Sequence, residues 1–168
     1  MLDIVGPKFR DEGHLLAADF FCIVIWKANR VKSKIATKML KHGYENLDAA
    51  AKALTSGLAQ QTSAKDRLRY LFEEWKFGLP MASAILTILY PDEFTLYDVR
   101  VCDMLDGFHN LKNRVNFENL WHDYQTFKRA VEKSAPIDLS LRDKDRYLWG
   151  KSFYEQLMDD IEKGFKVK

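Results

Sequence analysis

The chain has 168 residues, 47% hydrophobic, 13% aromatic and 30% charged, with a formal net charge of +2. That length fits one ordinary domain, the apolar content can fill a core, and disorder is excluded except at the ends. Near-neutral charge excludes a molecule that binds polyanions through its whole surface, so any nucleic-acid contact must come from locally clustered charge.

Cys22 and Cys102 each lie in an apolar run, which suits reduced buried thiols better than a secreted disulfide framework; two cysteines also exclude a four-cysteine iron–sulfur cluster. The longest apolar run, Phe20 to Trp26, has seven residues, where a membrane-spanning helix needs about 20. The start of the sequence does not have the pattern of a signal peptide, so the expectation is a cytoplasmic, intracellular protein with no membrane partner.

In chain order, helical periodicity begins with a segment from about His14 to Leu40, apolar first and basic later, with a bend expected near Asn29. After the Gly43 break, an alanine-rich helix is predicted over Leu47 to Leu58. Ser63 with Asp66 forms a capping box that starts the next helix, running to about Lys76. Phe77-Gly78-Leu79-Pro80 is a tight break. Pro80 suits the first turn of a helix over Met81 to Tyr90, which Pro91 stops.

Thr95, with Asp98 three residues on, is expected to cap a helix that carries Val99, Val101, Cys102 and Leu105 and ends at Gly107. Two more helices follow, about Phe117 to Ser134 and Ser140 to Lys163, the second opened by Ser140 with Asp143. No alternating strand or repeat is legible. The expectation is an all-α, compact multi-helix bundle of seven or eight short helices in a single domain over 1–168.

The chemistry centres on residues 75–102. A glycine turn before an apolar helix offers backbone N–H groups and the positive end of a helix dipole to a phosphate, although any pair of helices joined by a turn shares that feature. Lys76-Phe77-Gly78-Leu79-Pro80-Met81-Ala82-Ser83-Ala84-Ile85-Leu86, followed by Tyr97-Asp98-Val99-Arg100, resembles the helix-hairpin-helix DNA glycosylase superfamily. Similarity extends to a short branch of it through Leu141-Arg142-Asp143-Lys144-Asp145-Arg146-Tyr147-Leu148-Trp149 and through Trp26-Lys27 with Arg30.

Two departures stand out. Lys76 takes the place of the first hairpin glycine, and Pro80 falls where bifunctional members hold a Schiff-base lysine. The resemblance therefore implies a monofunctional enzyme with a central helix-hairpin-helix motif. It would bind DNA, flip a modified or damaged base into a pocket and excise it, with Asp98 stabilising the oxocarbenium character of the sugar. Binding of a monovalent cation at the hairpin is a further feature of some members.

Each residue has a structural reading beside the functional one. Asp98 is a capping carboxylate or the catalytic one. Lys76, Phe77, Gly78, Leu79 and Pro80 form either a plain helix break or a DNA-binding hairpin. Lys27, Arg30 and Lys34, with Lys32, Lys38 and Lys41, lie in a stretch free of acids between Asp19 and Glu45, which is a solvated face or a phosphate-binding one. Trp26 and Tyr97 are core aromatics or the walls of a base pocket.

For Arg100 an ion pair with Asp98 or Asp103 is the leading expectation, and for Asp145, Trp149, Arg142 and Arg146 a buried helix–helix network. The four histidines show no zinc spacing. The alternatives to a glycosylase are a non-catalytic helix-hairpin-helix DNA-binding module and a protein-interaction helical domain.

Overall fold

The computed structural model describes residues 2–165, and the described residues contain helices and no strand. The single domain that length suggests is organised as two compact units, the first running to Phe94 and the second beginning at Thr95.

In the first unit α1 is Leu2–Glu12, α2 Ala17–Ala28, α3 Lys32–Leu40, α4 Leu47–Ala59, α5 Ala64–Arg69 and α6 Leu79–Leu89. The bend expected near Asn29 is a short 3-10 turn, Asn29–Val31, between α2 and α3. Asn46 and Ser63 cap α4 and α5, accepting from the Ala49 and Asp66 amides, which sets these starts from local sequence alone.

α6 is apolar on every side and buries all its side chains except Pro80, as a helix enclosed by its own domain must. α1, α2 and α5 pack on it, and α4 packs on α2. Phe20, Ile23, Val24, Leu54 and Leu58 complete this core, each large side chain contributing roughly 1.5–3 kcal/mol by leaving water.

Sequence reading placed no helix before His14, because Gly6-Pro7 breaks the pattern. α1 nevertheless forms around Pro7, anchored by buried Val5 and Phe9. Gly6 lies so close to α6 that a Cβ there would stand 2.9 Å from the Ile88 carbonyl oxygen. Tertiary packing overrides the unfavourable propensity.

The second unit holds α7 Val99–Met104, α8 Phe117–Ser134 and α9 Leu141–Glu162. α9 packs on α7 and α8. Asn116 and Ser140 cap α8 and α9 through the Asn119 and Asp143 amides. The core is aromatic, with Phe127 meeting Tyr97, Phe108 and Tyr124 at centroid distances of 5.4, 5.5 and 6.2 Å.

Candidate functional site

The turn before α6 is built from the end of α5. After Arg69 the helix widens into a π turn over Tyr70–Glu74 rather than continuing as the regular helix to Lys76 that the sequence suggests. The Trp75 amide donates to Tyr70 O at 3.3 Å and the Phe77 amide to Leu71 O at 2.9 Å, folding the chain back on itself.

Lys76 sits at this reversal with φ +56°. A side chain in the left-handed region costs roughly 1–2 kcal/mol relative to glycine. Its carbonyl accepts a hydrogen bond from Lys38 Nζ at 2.5 Å, and the same ammonium lies 5.9 Å from the Phe77 ring centre. Trp75 is buried beneath stacked His42 and Tyr44, 4.3 and 5.9 Å away between centroids.

Phe77 and Leu79 are buried, so this turn can offer a ligand only their backbone. Gly78 is the N-cap of α6 in extended conformation (φ −66°), which any residue adopts. A Cβ there would meet only Pro80 Cδ at 3.9 Å, leaving the approach to the helix N-terminus open. Pro80 stands in the first turn as expected, and Met81 and Ala82 donate to Gly78 O. Amides ahead of them have no acceptor within the helix, and the dipole favours an anion beside them.

The basic stretch lies in the same unit. Ser33, Lys34, Thr37, Lys38 and Lys41 line a shallow cavity of about 410 Å³ on α3. Burial lowers the Lys38 pKa below the ordinary lysine value, and Lys34 lowers it further. Lys38 thus joins two features that sequence separates by some forty residues: the hairpin carbonyl and the lysine-lined face of α3. Sequence reasoning had Lys38 only as one charge in a run; its proximity to Lys76 is tertiary and leaves no local signal.

Lys27 is half-buried at the end of α2 and Arg30 is exposed in the 3-10 turn. Trp26 is 38% exposed, so it is not a core residue.

Asp98 belongs to the second unit. Sequence places it inside a helix begun by Thr95; in the structure it is the N-cap itself, its Oδ1 accepting from the Arg100 amide at 3.1 Å. Thr95 and Leu96 precede the helix as extended chain and are held by buried groups. Tyr124 OH donates to Thr95 O at 2.7 Å and accepts from Thr95 N at 3.0 Å. Asp145 Oδ2 accepts from Leu96 N at 3.1 Å and from the Thr95 hydroxyl at 3.4 Å, while Oδ1 accepts from Arg142 at 2.5 Å.

Burial pushes the Asp145 carboxyl above its ordinary value, and Arg142, the Leu96 amide and the Thr95 hydroxyl pull it back. The backbone leading to Asp98 is thus fixed three residues before the carboxylate.

Other expectations are revised. Tyr97 is buried: its hydroxyl donates to Phe108 O at 2.8 Å and His109 O at 3.1 Å, and its ring meets Phe127. Arg100 is engaged with Gln156 Oε1 at 2.9 Å and lies 5.3 Å from the Phe153 ring centre. Asp103 instead meets His109 Nε2 at 2.7 Å. Of the residues expected in one buried network, Asp145 and Arg142 form it; Trp149 is 44% exposed and stacks on Phe153, and exposed Arg146 pairs with Asp143.

Among the described residues no group of three or more His, Cys, Asp or Glu side chains is placed to hold a metal, and no helix is long and apolar enough to cross a membrane. The chain matches no protein-family model, and comparison with curated proteins and with solved structures gives no match.

Proposed function

We propose that this protein is a monofunctional DNA glycosylase-like protein of the helix-hairpin-helix kind, acting on a modified or damaged base. The observation that carries the reading is the left-handed turn at Lys76. It is the conformation a hairpin glycine would supply, and it delivers the chain into an open α6 N-terminus backed by the lysines of α3.

In this reading the α6 amides bind a DNA phosphate. Lys38 supplies, from inside the chain, the positive charge that a hairpin-bound monovalent cation would bring, so no cofactor is required. Lys34, Lys41, Lys27 and Arg30 contact neighbouring phosphates, and Trp26 stacks on a nucleobase. Asp98 faces the sugar of the flipped nucleotide and stabilises its developing positive charge. Tyr97 does not touch the base; it fixes the core behind Asp98.

A second reading, a non-catalytic DNA-binding module, is favoured by one observation: the Asp98 carboxylate already serves as a helix cap.

Affinity for duplex DNA carrying a pyrrolidine abasic mimic, against intact duplex, tests both readings. The mimic's cationic ring imitates the oxocarbenium. Preference for the mimic that Asp98→Asn removes supports the glycosylase. Equal, salt-sensitive affinity for both duplexes, with a salt slope reduced by about one on Lys34→Ala, supports the module. No binding at low salt refutes both.

A further inference from the structure

α9 is apolar on two opposite sides. Leu148 and Ser152 are buried with Asp145 against the rest of the second unit. Facing away from them, Trp149, Phe153, Leu157 and Ile161 recur every fourth residue as an exposed ridge, 44, 49, 38 and 52% exposed, flanked by Tyr154 and Met158 at 61 and 46%. A helix apolar all round is normally enclosed. Gly150 lies within the ridge, and nothing stands within 4 Å of the place its Cβ would occupy. In mid-helix it sacrifices about 1 kcal/mol relative to alanine with no packing return inside this chain.

We infer that this face docks against the same face of a second copy of the chain, with the two α9 helices antiparallel. Charge selects this occupant. In the first half of the helix Arg142, Lys144, Arg146 and Lys151 outnumber Asp143 and Asp145, while in the second half Glu155, Asp159, Asp160 and Glu162 outnumber Lys163. Antiparallel pairing sets each basic half beside the partner's acidic half, and parallel pairing sets like against like. A two-fold axis does this with one self-complementary surface.

Area agrees. The six side chains leave on the order of 600 Å² open per copy, so pairing would remove about 1,200 Å² in all, at the lower edge of stable specific interfaces. Gly150 gives the second helix its closest approach. The Arg100 guanidinium over Phe153 holds that ring in place at the margin.

Sedimentation velocity and light scattering of the full chain test this. The expected particle has twice the 19.6 kDa chain mass, and its dissociation constant rises with salt because the pairing charges are exposed. Leu157→Asp with Ile161→Asp should weaken dimerisation about 100-fold or more with an unchanged circular dichroism spectrum. Phe153→Ala, less disruptive to folding, should weaken it in the same direction.

Spin labels at position 144 report orientation. A separation below about 15 Å, little more than two packed helix axes, would mean parallel helices and overturn the model. A wild-type monomer at every concentration, or a dimer indifferent to these substitutions, would overturn it equally.

Discussion

Asp145→Ala is the substitution that most directly tests how the chain leading to Asp98 is held. The Asp145 side chain is 2% exposed and that of Arg142 12%, so deleting the carboxylate strands a guanidinium almost out of water. It also leaves the Leu96 amide and the Thr95 hydroxyl without their acceptor. Breaking a buried pair from one side costs about 3–5 kcal/mol. Asp145→Asn retains an acceptor for the Leu96 amide and should cost less, about 1.5–3 kcal/mol, from the lost charge on the Arg142 bond. Replacing both partners, Arg142→Met with Asp145→Leu, removes the stranded charge and should fall below Asp145→Ala. Urea unfolding followed by circular dichroism gives these differences as midpoint shifts at constant slope, and amide exchange at Leu96 localises the loosening. An alanine variant within about 0.5 kcal/mol of wild type, the range of ordinary surface changes, would refute the locking role. So would a double variant worse than the single.

Two further outcomes follow from backbone and cap geometry. Lys76→Gly should leave thermal stability unchanged or raise it by up to about 1 kcal/mol, because glycine accepts the left-handed turn while the main-chain carbonyl still receives Lys38; a clear loss on calorimetry would mean that the Lys76 side chain holds the turn. The Asp143 carboxyl is held below its ordinary value by the Ser140 hydroxyl and then by Arg146. A depressed folded value means that its contribution is present above the unfolded carboxylate range, near 3.9, and is lost as pH falls through the folded value. The stability difference between wild type and Asp143→Asn should therefore close on acidification, and a difference that is flat across that range would contradict the assignment.

Much of the helical layout is legible locally. Ser63 and Ser140 announce α5 and α9, Pro80 sits in the first turn of α6, and α8 runs from Phe117 to Ser134 as its periodicity indicates. Where sequence reading fails, a long-range contact has decided. α1 tolerates Pro7 because Val5 and Phe9 have a core to enter. Asp98 moves from the first turn to the N-cap because Thr95, its expected cap, is drawn into the extended chain by Tyr124 and Asp145.

The candidate site divides in the same way. Pattern suffices to find the glycine turn and the lysine stretch, whereas the bond from Lys38 to Lys76 spans 38 positions and no periodicity encodes it. Tyr97 looks like the rim of a pocket because of its neighbour in sequence. Its hydroxyl is committed to Phe108 and His109, partners that only the folded unit supplies.

The Asp145 network also bears on the order in which the second unit assembles. Its hydrogen bonds reach back 49 and 50 residues, and closing a loop of that length costs about 3.5 kcal/mol of chain entropy before any contact repays it. α8 and α9, each capped by its own sequence, can form earlier at little such expense. The strand-like approach to Asp98 is then among the last pieces to settle and the first to open. Weakening Asp145 should act mainly on the unfolding rate and leave the folding rate nearly untouched, so the carboxylate at the helix cap would sample its released state far more often than the core behind it.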